Sequence, residues 1–137
     1  ASERAGVVVL CAKLEAELAG MAEDEAQTFA AELGLTETGL SALIHASYDL
    51  LGLMTFLTAG EKETRAWPIL KGTKAPQAAG KIHSDIERGF IRAEIVSYDD
   101  FARLRSMEAL RSAGLVRQEG KEYVMQEGDV VNFKFNV

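Results

Sequence analysis

Cysteine and histidine are scarce in this 137-residue sequence, which has one of the first and two of the second. Cys11 alone cannot close an internal disulfide, so a reducing, cytoplasmic setting is the expectation. His45, His83 and a single thiol form no cluster at a recognisable ligand spacing, and no metal site is expected. Long apolar stretches are missing as well. The longest, residues 5–12, falls far short of the roughly 18 residues a membrane span needs, and it lacks the basic lead and cleavage site of a secretion signal. No membrane partner is expected. What is present, 47% hydrophobic residues, suffices for the core of one ordinary domain, or of a small domain with a helical appendage.

The formal net charge of −6 is unevenly distributed. Residues 1–53 carry Arg4 and Lys13 against nine acids, whereas residues 54–137 carry 13 basic and 12 acidic side chains. Within the second part, Lys62, Arg65, Lys71, Lys74, Lys81, Arg88 and Arg92 face only Glu63, Asp85 and Glu87 over residues 62–92. Any polyanion-binding surface is expected there.

Residues 7–10, Val-Val-Val-Leu, form a β-branched and aliphatic run without alternation, which predicts a strand buried on both faces of a parallel sheet. Nothing downstream supplies the strand–helix repeats of such a sheet, so the strand is expected to belong to a larger domain. Two amphipathic helices follow. Ala26, Phe29, Ala30 and Leu33 make the stripe of the first, with Glu23, Asp24 and Glu25 on its N-terminal dipole. Leu40, Leu43, Ile44, Ser47 and Leu51 make the stripe of the second, ahead of Gly52. Together they predict an acidic helical hairpin.

From residue 53 the periodicity turns to that of strands, predicted over 54–58 and 65–70. Pro68 cannot donate to a ladder, which places the second strand at an edge or at a bulge. Ala75, Ala78, Ala79, Ile82 and Ile86 then predict one helix opened by Pro76 and closed by Gly89. A strand over 90–97 is expected to set Ile91, Ala93 and Ile95 against Arg92 and Glu94. A helical excursion over 99–113 leads to an extended piece at 123–125, a Glu127-Gly128-Asp129 turn and a last strand with Val131, Phe133 and Phe135 on one face. Two strands, a helix, a strand, a crossover and a last strand is the order of an α+β β-grasp, or ubiquitin-like, domain with one helix on one face of a mixed sheet.

The run Phe56-Leu-Thr-Ala-Gly-Glu-Lys-Glu-Thr-Arg-Ala-Trp67, the run Lys71-Gly-Thr-Lys-Ala-Pro-Gln-Ala-Ala-Gly-Lys-Ile-His83, and Glu87-Arg-Gly-Phe-Ile91 carry a resemblance. They closely resemble the C-terminal domain of the YchF/Obg-like P-loop ATPase/GTPase family. The Gly128-Asp129 turn and Phe133-Lys-Phe-Asn-Val137 match that family's ending too. The resemblance implies a TGS β-grasp domain over 54–137, acting as a non-catalytic ribosome- or RNA-binding output module. Residues 1–53 would be the C-terminal remnant of a P-loop domain, a buried strand plus two or three helices. That P-loop domain, lying upstream, would be a partner of this chain, and in the intact protein it would hold ATP or GTP with Mg²⁺. By similarity to the Ser-Ala-Lys loop of GTPases, Cys11, Ala12 and Lys13 would contact the base through the backbone. Pro68 and Leu70 depart from the family's usual Thr and basic residue.

Several of these features have bland alternatives. Residues 75–81 mimic the spacing of a phosphate-binding loop, but Ile82 replaces the hydroxyl that would hold Mg²⁺ and Pro76 removes an amide. A packed helix is expected instead, and neither a cofactor nor a catalytic residue is assigned to this chain alone. Cys11 is expected to be inert filling of a strand. His83 is expected to be solvated or capping, and Phe90 to be core, whereas Trp67 suits either core packing or stacking on a base. The seven cations named above are the candidate nucleic-acid-binding set. The rival reading is a ubiquitin-like β-grasp that binds a protein partner by a sheet face or by the strand near Pro68.

Overall fold

The computed structural model describes residues 5–60 and 64–136. The chain divides into two compact units between Gly52 and Leu53.

The first unit is helical: α1 (Ala12–Leu18), α2 (Glu23–Glu32) and α3 (Gly39–Leu50). Thr38 caps α3 by accepting the Ser41 N–H, and Glu15 of α1 accepts the Gly39 N–H at 2.7 Å, tying α1 to the start of α3. The strand predicted over 7–10 is not formed. A strand exists only by exchanging hydrogen bonds with a neighbour. Residues 5–10 have no ladder partner among the described residues, and Val7 and Val9 are almost fully exposed. The stripe of α2 is only partly inward, with Ala30 buried and Leu33 exposed. Along α3 and at its C-cap, Leu40, Leu43, Ile44 and Leu51 stay 46–63% exposed, so the face predicted to pack is only partly covered by the described residues.

The second unit is an α+β domain. Its strands are β1 (Leu53–Ala59), β2 (Thr64–Leu70), β3 (Phe90–Ser97), β4 (Arg117–Glu119) and β5 (Asp129–Phe135), and its helices are α4 (Ala75–Ile82), α5 (Ser84–Arg88), α6 (Tyr98–Leu104) and α7 (Met107–Ser112). The sheet order is β2-β1-β5-β3-β4, with β1 and β5 parallel and every other pair antiparallel, which is the β-grasp arrangement.

Pro68 sits on the edge strand, as expected. Its ladder partner is Thr55, whose N–H donates to the Glu127 carboxylate and whose C=O accepts from the Gly128 N–H. With the backbone groups of Thr55 turned away from β2, this is a non-hydrogen-bonded pair, and the Pro68 nitrogen faces the open rim where no ladder donor is needed.

Two cores flank the sheet. Met54, Phe56, Ile69, Ala93, Ile95, Val131 and Phe133 pack under Ala75, Ala78 and Ala79 of α4. Phe90 belongs to this core, its ring edge-on to Phe133 at 6.0 Å. On the other face, Val96 and Val130 pack with Leu110 of α7, joined by Leu57, Phe101 and Leu104. The expectation of a single helical layer therefore fails. The adjacent pairs Ile95-Val96 and Val130-Val131 put an apolar side chain on each face, which requires cover on both.

Two further predictions need correction. The single helix over 75–88 is broken at His83, whose extended backbone (φ −161°, ψ 142°) separates α4 from α5. There His83 Nδ1 accepts the Asp85 N–H, so this histidine is a cap. Ile91, expected inside, is exposed because a bulge between Phe90 and Arg92 sets one extra residue of β3 against β5. Strand β4 had no sequence signal, for three residues are too few to show a period.

Candidate nucleic-acid interface

The charged residues singled out from the sequence do not share one surface. Lys62 lies outside the described residues. Arg65 is on β2, on the α4 side of the sheet, with its guanidinium 4.3 Å from the Trp67 ring centroid. Trp67 in turn stacks on Phe56 and donates its indole N–H to Thr58 Oγ1 at 3.0 Å. Trp67 is thus half core and half platform, with its outer side occupied by Arg65.

Lys71 and Lys74 stand in the β2–α4 loop, where Gly72 takes φ 88°. Lys74 is the N-cap residue of α4, and its ammonium lies 2.5 Å from Glu122. Hydrogen bonding by Lys74 holds the Glu122 carboxyl below its ordinary range. Lys71 lines a groove of about 260 Å³ together with Glu127. Lys81 is in the last turn of α4, at the other end of that helix from Lys74. Arg88 of α5 is paired with Asp85 one turn earlier. The stretch 62–92 is therefore less basic in space than in sequence, because Glu122 and Glu127 come back to it from the β4–β5 connection.

Arg92 is on the opposite face. It is in register with Lys134, and both alternate with core residues, Ala93 on β3 and Phe133 on β5. Two residues further, buried Glu94 lies between Asn132 of β5 and Gln118 of β4. Glu94 Oε2 accepts from Arg111 Nη2 at 2.9 Å and meets Lys134 Nζ at 3.5 Å. Burial alone would raise the Glu94 carboxyl; the Arg111 hydrogen bond and the charge of Lys134 outweigh it and leave it below the usual carboxylate range. Arg111 and Lys134 escaped the sequence reading because they lie outside the basic stretch. The signal was the polar alternation Asn132, Lys134 on β5 opposite Arg92, Glu94 on β3.

A second polar cluster, on the α4 side, is structural. Asp129 is buried and accepts from Tyr123 O–H and the Gln126 N–H, both at 2.9 Å, with Arg117 alongside. It fixes the approach to β5.

Cys11, Ala12 and Lys13 form no loop behind a strand. Cys11 is exposed and is the N-cap residue of α1, Ala12 and Lys13 are its first turn, and Lys13 lies 4.0 Å from Glu17. Cys11 is therefore not strand filling. The first amides of a helix have no acceptor within it, so Ala12 and Lys13 retain backbone donors that suit a base contact. For phosphates and Mg²⁺ the fit is poor: residues 75–82 are helix with Ala75, Ala78 and Ala79 packed in the core, and among the described residues no three His, Cys, Asp or Glu converge on a metal position.

The profile of a family named YchF-GTPase_C, described as "Protein of unknown function (DUF933)", matches residues 53–136. The chain is 58% identical over 137 residues to "Ribosome-binding ATPase YchF" of Bacillus subtilis (strain 168), covering 100% of this chain and 37% of that protein. It is 50% identical over 137 residues to the protein of the same name from Escherichia coli O157:H7, covering 38% of it. The chain thus spans less than two fifths of the length of these relatives. Among solved structures it is similar to that of the Schizosaccharomyces pombe YchF GTPase, with a TM-score of 0.73 and 42% identity over 86% of this chain and 31% of that one. A GTP binding protein from Pyrococcus horikoshii OT3 shares the fold, with a TM-score of 0.51 and 19% identity over 97% of this chain and 33% of that one. On the match over 53–136 and the identities across the whole sequence, the chain belongs to the YchF family.

Proposed function

We propose that this chain is the non-catalytic, ribosome-contacting part of a P-loop ATPase or GTPase, and that its β-grasp unit is a TGS module contacting ribosomal RNA in the cytoplasm. The observation that carries this reading is the 58% identity across all 137 residues to a protein named for ribosome binding. Lys71, Lys74, Lys81, Arg65, Arg88 and Arg92 are its proposed phosphate contacts, with Lys62 beside them in sequence. Their chemistry suits the role, because ammonium and guanidinium groups position a protein on phosphates without reading bases.

ATP or GTP and Mg²⁺ belong, on this reading, to a P-loop domain outside this sequence. Cys11, Ala12 and Lys13 would touch only the base of that nucleotide, through main-chain groups. The exposed apolar face of α3 supports a contact between the helical unit and that domain, since contiguous apolar surface of this kind marks polypeptide contacts.

Co-sedimentation of the chain with purified ribosomes over a series of salt concentrations tests the proposal. Association through several phosphates is expected to weaken steeply as salt rises, in proportion to the number of contacts. Association that ignores salt would favour the ubiquitin-like, protein-binding reading. Absence of association at low salt would overturn the ribosome-contacting function.

A further inference from the structure

We propose that the sheet face opposite α4 carries an RNA-backbone contact patch organised by Glu94, consisting of Arg92, Arg111 and Lys134 with the amides of Asn132 and Gln118 between them. The inference rests on the ribosome-contacting reading and assigns it a surface of which the sequence marked only Arg92.

The argument begins with the ratio of charges. Among the described residues two cations meet one carboxylate, and that acid is spent: the Glu94 side chain keeps 10% of its surface open, while those of Arg111 and Lys134 keep 49% and 36%. One carboxylate serving two cations leaves the group positive, and Arg92, exposed beside Lys134 in the ladder, adds to it. The loop after β2 shows the contrary balance, with Glu122 on Lys74 and Glu127 in the groove of Lys71.

The patch is also held in place. Lys134 and Arg92 project from paired strands, and Arg111 is drawn to Glu94 from α7, whose Leu110 is fully buried. Anchoring of this kind lowers the ordering cost of binding. A guanidinium has five N–H donors and an ammonium three, so sharing one carboxylate oxygen leaves most of them for an incoming anion. Asn132 and Gln118 flank Glu94 in the ladder and add neutral donors of the sort that contact phosphate and sugar oxygens. The ladder neighbours of Glu94 on this face, Arg92, Lys134, Asn132 and Gln118, include no aromatic ring for base stacking, so the contact is to the backbone and indifferent to sequence.

The test compares Arg92→Glu and the double variant Arg92→Glu/Lys134→Gln with Lys71→Glu/Lys74→Glu, each confirmed as folded by its thermal melt. The assays are ribosome co-sedimentation and fluorescence anisotropy with a labelled single-stranded RNA of mixed sequence. The double variant on the Glu94 face is expected to lose about tenfold in RNA affinity and to lower the slope of log affinity against log salt by about 1.4 to 1.8. Arg92→Glu, at an exposed site, is expected to show about half that slope change, and the loop variant a smaller change than either. If the double variant binds RNA and ribosomes as wild type does, the patch is refuted while ribosome contact stands. If wild type sediments with ribosomes but binds no RNA, the surface takes a protein and the RNA assignment falls. If wild type does neither, the functional reading itself falls.

Discussion

The ammonium of Lys74 and the carboxylate of Glu122, 48 residues apart in the chain, lie 2.5 Å from each other. Tyr123, the next residue, accepts the Ala75 N–H through its carbonyl, so the β4–β5 connection is pinned to the start of α4 by a main-chain bond as well as by charge. Lys74→Ala should therefore leave the fold intact and act on its partner. The Glu122 carboxyl, now held low chiefly by the Lys74 hydrogen bond, is expected to rise toward its ordinary value of 4.5. Carboxyl NMR titration of wild type and variant checks this, and an unchanged midpoint would show that the pair is not formed in solution.

Glu94 makes stability depend on pH in a defined direction. Its folded value is lowered from 4.5, so the folded state binds fewer protons than the unfolded state around that pH. The stabilisation is fully present above pH 4.5 and is lost as pH falls through 4.5 toward the depressed folded value. Urea unfolding at pH 7, 4.5 and 3 should show a steeper fall for wild type than for Glu94→Gln, which cannot ionise. Parallel curves would assign the acid sensitivity to other groups.

Gly89 closes α5 and lies against the main chain of Asn136, whose N–H donates to the Gly89 carbonyl at 2.9 Å. A Cβ at Gly89 would overlap the Asn136 carbonyl oxygen, so Gly89→Ala must push the end of β5 away. The expected cost is about 1–3 kcal/mol, in the range of overpacking a close contact. Faster hydrogen exchange at Asn136 should accompany it. Unchanged stability would mean that the β5 end relaxes freely.

Most of the second unit was legible because its signals are local. The alternation in residues 129–135, Pro68 on a rim and Pro76 opening a helix each follow from the chemistry of a few neighbouring residues. What escaped depended on partners distant in sequence. The Val7-Val8-Val9-Leu10 run has the composition of a strand, but the described residues give it nothing to pair with. The stripe on α3 has the right spacing, and the described residues cover it only in part. The charge of residues 62–92 was counted without Glu122 and Glu127, which only the fold returns to that region. Conversely, Arg111 and Lys134 joined Arg92 through a crossover and a ladder that no linear window contains.

The two rims of the sheet restrict how any other molecule can engage it. One rim is β2, with the Pro68 nitrogen at its middle, and the other is β4, three residues long. Neither presents an unbroken row of donors and acceptors on which a further strand could zip. Recognition is thereby confined to side chains on the two broad surfaces and the connecting loops. Main-chain zippering accepts nearly any extended sequence, whereas side-chain recognition can be retuned one substitution at a time. On the RNA-contacting reading, rims interrupted in this way leave the selectivity of the domain to a handful of charges.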